Sequence, residues 1–291
     1  MLILKPASHA DDMEVDRKEE IVTPGQVITK DLAFMRGHGT FTLNEQLVAS
    51  VAGKIERVNK LVSVKPLKTR FNGEIGDVVV GRIAELGNKR WRVDIQGRQE
   101  ATLLLSSINL PGGVQRRKNE ADEMEMRSFF AEGDMLSAEV QAFFGDGGCS
   151  LHTRSFKYGK LRNGCLVVAP SALIKRSKSH FISLSCGVDV VLGLNGYIWV
   201  QKHVFISPEM QNQPEGLYIN ENDEISMEER EAISRVCNII TALVNHKQMI
   251  YETIIVFMYE NSLEYQPVEL LSADLQKSLI DSAISQLEAA E

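Results

Sequence analysis

The chain has 291 residues, 44% hydrophobic and 24% charged, with a formal net charge of −7. That length accommodates one large domain or two to three small ones, and the composition is globular rather than disordered or fibrous. No apolar run approaches the roughly 18 residues of a membrane-spanning helix, and the opening MLILKPASHADDMEVDRKEE turns polar too early for a secretory leader.

Residues 1–20 are acid-rich, with few apolar positions, and read as a mobile tail. From Ile21 the texture changes. IVTPGQVIT, GTFTL, LVASVAGKIERV and KLVSVKPL read as short strands separated by Gly, Pro and Asn, predicting a small all-β domain over 21–67. A second unit, 68–155, contains DVVVGRIAEL, KRWRVDIQG, ATLLLSSI, MLSAEVQAFF and CSLHTRS. Alternation puts Trp91, Val93 and Ile95 on one strand face and Arg90, Arg92 and Asp94 on the other. Gly87-Asn88 supplies the preceding hairpin turn.

Five short strands interrupted before the fourth is the pattern of an OB-type barrel, whose face commonly binds oligonucleotides. The interruption, 109–133, opens with NLPGGVQRRK and runs into a helical stretch with Asn119 as candidate N-cap. A third unit, 156–250, combines the strands CLVVA, DVVLG and YIWVQ with a short helical piece around SALIKRS. It also holds a helix whose buried stripe is Ile233, Val236, Ile239, Ile240 and Leu243. An acidic helical extension, 251–291, follows, with an amphipathic helix over roughly 268–290. The expected fold class is therefore multidomain β and α+β.

Charge is unevenly distributed. Residues 54–180 carry 22 Lys+Arg against 14 Asp+Glu, a net of +8, whereas 201–291 carry 5 against 16, a net of −11. A basic middle between acidic ends suggests an anionic ligand held centrally. Candidate phosphate contacts are Lys89, Arg90, Arg92 and Arg98 on and beside the Trp91 strand, and Arg116, Arg117 and Lys118 on the inserted loop. Cations of this kind replace counterions on phosphates without reading base sequence. Trp91 could stack on a base, but its alternation with Val93 and Ile95 turns it toward the barrel interior.

Other constellations point away from catalysis. Glu120, Asp122, Glu123 and Glu125 could suggest a metal-dependent nuclease, but acids at a helix start stabilise its dipole. His38, His152 and His180 are isolated, with no nucleophile motif near them. There is no phosphate-binding GxxxxGK loop and no dinucleotide fingerprint. Cys149, Cys165, Cys186 and Cys237 lack metal spacing and read as reduced thiols of an intracellular protein. No cofactor, no metal and no enzymatic activity are expected.

GLNG, Gly193 to Gly196, fits the G-x-x-G loop with which KH modules clamp single-stranded nucleic acid. It is flanked by the β-rich VDVVL and YIWVQ rather than by helices, and Asn-Gly is a strong hairpin signal. Gly193, Asn195 and Gly196 therefore read as a structural turn, with a positive φ at Gly196.

PGQVIT, MRGHGT, SVAGKIERVNKLVSV, GDVVVGRI, RWRVDI, LLLSSINLPGG, SLHTRSFKYGKLRNG and VLGLNGYIWV occur in this order over about residues 21–245. The set resembles the ribosomal RNA processing protein four family, cap subunits of the RNA exosome, and looks more like its eukaryotic than its archaeal members. The resemblance implies an N-terminal β domain, an S-one-type OB barrel and a KH-type domain. It implies a non-catalytic subunit sitting on a ring of RNase-PH-like proteins beside other cap subunits and guiding single-stranded RNA to 3′-to-5′ exonucleases, with a helicase acting through the complex. Ring docking would use the N-terminal domain, with Met35, Arg36, Gly37, His38 and Gly39 as candidates. The implied location is nucleus and nucleolus, also cytoplasm, with no membrane partner; in this family the GxNG loop packs near the OB domain. Competing readings are a stand-alone OB/KH RNA-binding factor and a nuclease acting by itself.

Overall fold

A computed structural model describes residues 21–31, 33–66, 70–109, 120–155, 157–203, 218 and 222–290. The expected tail 1–20, the loop cations Arg116, Arg117 and Lys118, and the N-cap candidate Asn119 lie outside the described residues. The chain divides into two compact units, Met1–Lys68 and Thr69–Glu291.

In the first unit, β1 (Ile21–Val22), β2 (Val27–Thr29), β3 (Met35–Arg36), β4 (Thr40–Leu43), β5 (Gln46–Ala49), β6 (Gly53–Val58) and β7 (Leu61–Pro66) form two small sheets, β1-β6-β7-β3 and β2-β5-β4. Asn44 and Glu45, both with positive φ, make the tight β4–β5 turn, the conformation that matches strand twist in a two-residue hairpin. The core is small: Val22, Ala49 and Val64, with Ile28, Val51 and Ile55 packed against them.

The second unit begins with a closed barrel. Its strands are β8 (Val78–Gly87), β9 (Arg90–Asp94), β10 (Ala101–Ile108), β11 (Met135–Phe143) and β12 (Cys149–Thr153). They pair in the order β12-β10-β9-β8-β11, and β11 closes the circle on β12. The β10–β12 pair is parallel, and the other barrel pairs are antiparallel. Two short helices, α1 (Glu120–Met124) and α2 (Met126–Phe129), precede β11 and supply Met126 and Phe129 to the core, with Phe130 following.

At the β8–β9 hairpin, Gly87 pairs with Arg90, so the turn residues are Asn88 and Lys89 rather than Gly87-Asn88. The positive φ falls on Lys89. Beyond the barrel, β13 (Gly159–Leu161) pairs with β11, so the chain adds a sixth strand to the barrel sheet after the point where the sequence turns to its third unit.

The α+β portion follows. β14 (Gly164–Val168), β15 (Phe181–Leu184), β16 (Val188–Leu192) and β17 (Tyr197–Lys202) form an antiparallel sheet ordered β14-β17-β16-β15. Helix α3 (Met227–Asn245) starts at a capping box, Ser226 with Glu229, and buries Ile233, Val236, Ile239, Ile240 and Leu243 on its sheet-facing stripe. Then come α4 (Glu252–Asn261) and α5 (Ala273–Ala290). The last helix starts later than the periodicity suggests, because Glu269–Leu271 form a separate 3-10 turn. Trp91, Leu103 and Leu136 of the barrel belong to one continuous core with Val190, Ile198, Ile239 and Leu243. Barrel, sheet and helices are thereby packed as one body.

Candidate nucleic-acid interface

Strand β9 presents two faces, and their contents follow from strict alternation. Trp91, Val93 and Ile95 are sealed in the barrel, at 0%, 0% and 3% exposure. The Trp91 indole N–H donates to Phe130 O at 3.0 Å, and its ring meets Phe130 edge-on with centroids 5.6 Å apart. That ring is closed to base stacking. Arg90 and Arg92 stand on the opposite, exposed face, and Arg98 is exposed just beyond.

The four described cations are not equivalent. Arg92 lies 3.1 Å from Glu85 and 4.0 Å from Glu100. Lys89 pairs with Glu123 of α1 at 2.8 Å, and that hydrogen bond and charge hold its ammonium pKa above the usual value. Arg90 and Arg98 have no ion pair with any described residue. An approaching phosphate therefore meets two open guanidinium groups and two that exchange partners with acids, an exchange that high dielectric makes cheap. Among the acids at the inserted helix, Asp122 is buried and Glu123 is taken up by Lys89. No group of three or more potential metal ligands occurs among the described residues.

The Gly193–Gly196 loop joins β16 to β17 and is turned into the protein. Asn195 has 0% exposure. Its Nδ2 donates to Val80 O at 2.7 Å and Ile95 O at 3.0 Å, and its Oδ1 accepts from Val80 N at 3.2 Å. Regular β8–β9 pairing stops at Arg82 and Asp94. The carboxamide fills the gap that opens there, completing a ladder the two strands no longer make for themselves. Leu194 N also donates to Val78 O at 2.9 Å.

The two glycines are needed for separate reasons. A Cβ at Gly193 would stand 2.5 Å from Tyr197 O and 2.8 Å from Val80 N. Gly196 has φ +97°, and a Cβ there would strike Ala169 O. Tyr197 adds a hydrogen bond from its hydroxyl to Asp94 Oδ2 at 3.2 Å. No amide of this loop is presented to solvent as a phosphate cradle would require: Gly193 N and Gly196 N are bonded within the turn, and Leu194 N to the barrel.

A region the sequence does not single out lies at the same seam. Arg176 reaches Glu74 at 3.0 Å and the buried Asp77 at 3.1 Å, tying the segment before β15 to the start of the barrel. Beside it opens a cavity of ≈330 Å³ whose walls include Asp77, Glu139, Tyr158, Lys178 and His180. The Tyr158 hydroxyl donates to Glu139 at 2.8 Å. Burial lowers the pKa of His180, whose Nδ1 is buried with no hydrogen-bond partner. The cation-rich run Lys175, Arg176, Lys178 was a visible signal, but its acidic partners lie about a hundred positions earlier.

In the first unit, Met35 and Arg36 form β3, parallel to β7. Met35 is 63% exposed and His38 is exposed, while His38 O accepts from Val64 N at 2.8 Å. Gly39 has φ +73° and abuts Val64 and Val51 too closely for a side chain. The residues Met35 to Gly39 thus combine a fixed backbone with an open outer surface.

Three family models match the chain: "Exosome complex exonuclease RRP4 N-terminal region" at residues 21–58, "RRP4, S1 domain" at 70–142, and "KH domain" at 164–204. An exosome complex component RRP4 from Bos taurus is 50% identical over 265 residues, covering 91% of this chain and 89% of that protein. The Schizosaccharomyces pombe protein of the same description is 51% identical over 261 residues, covering 87% and 79%. The Saccharomyces cerevisiae one is 46% identical over 303 residues, covering 94% and 84%.

Proposed function

This chain belongs to the RRP4 family of exosome complex components, and from that premise we propose that it is an RNA-binding cap subunit of an RNA exosome rather than a stand-alone factor. In this reading it stabilises a ring of RNase-PH-like subunits and guides single-stranded RNA toward 3′-to-5′ degradation and processing, ribosomal RNA included. The observation that carries the RNA-guiding role is the outer face of β9. It offers Arg90, Arg92 and the nearby Arg98 to solvent while Trp91 is withdrawn, a surface suited to phosphates and indifferent to sequence.

The small core of the first unit supports docking through that unit, since a domain with so little buried apolar surface gains stability from a partner. Met35 and the exposed Phe41, Leu43 and Leu61 supply apolar contact area for it. The chain itself performs no catalysis; exonucleases and a helicase act through the assembly, in nucleus, nucleolus and cytoplasm.

The test is to tag the chain in its own cells, purify it at moderate salt, and measure native mass and composition. Six RNase-PH-like proteins and two further cap proteins at equal stoichiometry are expected, and a lone 32.5 kDa species that still binds RNA overturns the assembly role. The isolated chain is also given labelled RNA with Mg²⁺ or phosphate. Any 3′ shortening by the pure chain overturns the non-catalytic role.

A further inference from the structure

The connection between α4 and α5 is apolar on the outside and held rigidly from the inside. Leu263, Tyr265, Val268 and Leu271 are 58%, 36%, 74% and 57% exposed. Val268 and Leu271 are three apart on a 3-10 turn and so share one side. Leu270 points the other way and is buried.

The backbone carrying these side chains is fixed by polar groups of its neighbours. Arg235 of α3, 6% exposed, donates to Ser262 O and to Tyr265 O at 2.7 Å. Asn238 Nδ2 donates to Pro267 O at 2.8 Å, and the buried Gln276 donates to Leu270 O at 3.0 Å. A buried guanidinium spent on loop carbonyls fixes the loop's shape. It does nothing to shelter the apolar side chains, which a collapsing loop would tuck inward. Single exposed apolar residues need no explanation, but four within nine positions on a pinned backbone make a surface already set for contact.

The charges carried by this segment are of one sign, and the cation shown beneath it, Arg235, is buried and paired with Glu231 at 3.1 Å. No Lys or Arg occurs between Lys247 and Lys277, while Glu252, Glu260, Glu264, Glu269 and Asp274 all fall there. Glu264 and Glu269 sit within the apolar stretch and are exposed. This repels RNA and complements cations.

We propose that Leu263, Tyr265, Val268 and Leu271 form a docking surface for a segment of another protein that carries Lys or Arg interleaved with apolar residues. The apolar side chains anchor it, and Glu264 and Glu269 set its register and reject acidic competitors. It goes beyond the RNA-guiding role and lies on a different part of the chain.

The experiment places the photo-crosslinker p-benzoylphenylalanine at position 268 of the tagged chain in its own cells, purifies the complex, irradiates it and sequences the crosslinked peptides. The expected product is one partner-protein segment with more Lys and Arg than Asp and Glu. Its yield should fall about tenfold with Leu263→Ser plus Leu271→Ser, as for a central anchor, and should fall with Glu264→Lys, while melting temperatures stay at that of the parent. A crosslink to a second copy of this chain, to its own residues 1–20, to RNA or to an acidic peptide overturns the proposal, as does the absence of any protein crosslink. Ring subunits are scored separately in the same purification, so failure of the docking surface and failure of the cap-subunit role give different results.

Discussion

The two ends of strand β9 carry opposite lessons. At its start, Arg90 and Arg92 face solvent, with only surface acids as neighbours. At its end, Asp94 and Ile95 are covered by Tyr197 and Asn195 of a loop whose four letters read as a nucleic-acid clamp. Asp94 is two residues from Arg92, about 7 Å along a strand. Within that distance the surface changes from one that can exchange partners with a phosphate to one whose hydrogen bonds are already spent. Residue types that match a binding motif can bind only if their polar groups are left free by the protein or are held by partners exposed enough to be exchanged.

The largest test of this contrast is Asn195→Ala, which orphans Val80 N, Val80 O and Ile95 O in the interior. At about 1–3 kcal/mol per buried unsatisfied group, the loss is about 3–9 kcal/mol, and at about 2–4 °C per kcal/mol its low end alone lowers the melting temperature by about 6–12 °C. A variant that melts like the parent but binds RNA weakly would turn the sealed end into a functional one. Gly196→Asp comes next: positive φ and the approach of Ala169 O should cost about 2–4 kcal/mol by thermal unfolding. Unchanged stability would break the structural role of the turn.

A pH series sharpens the account of the seam. Burial holds the folded-state pKa of His180 below its ordinary 6.5, so the unfolded chain takes up its proton first as pH falls. The stability associated with the neutral ring is whole above 6.5 and is lost as pH drops through 6.5 toward the lower folded value. Asp77 opposes this shift and Arg176 favours it. His152, also lowered by burial, acts in the same direction. His180→Gln should make the fall in melting temperature between pH 7.5 and 5.5 shallower, and an identical fall would remove His180 as its source.

At the open end, Arg90→Ala with Arg98→Ala should weaken RNA binding alike for unrelated sequences. It should also reduce the slope of log affinity against log salt by about 1.4, from about 0.7 per phosphate contact. An unchanged slope takes both residues off the RNA path. The smallest effect is on stability: Arg92→Ala should move unfolding by less than about 0.5 kcal/mol, since its partners Glu85 and Glu100 are exposed. A larger loss would mean that the open face is a structural network.

How much of this the sequence discloses depends on the range of the interaction. Alternation along RWRVDI and the stripe from Ile233 to Leu243 are local, and the strands and α3 follow from them. Helix α4 is less legible because ETIIVFMYEN is apolar over more than one face, and β15 because FISL follows a polar, cationic run with no turn signal to frame it. The Lys89–Glu123 pair and the Asn195 contacts with Val80 and Ile95 join residues far apart in the chain, and no spacing rule reaches that far. The sequence can name the cations around Trp91, but not which of them a neighbouring acid already holds.

The Asn195 carboxamide also sets an order of events during synthesis. It bonds to Val80 from 115 positions downstream. At about 5–20 residues per second, roughly 6–23 s separate the appearance of Val80 from that of the group that satisfies it. For that interval strand β8 carries an unpaired stretch of backbone, the kind of edge to which chaperones and aggregating chains attach.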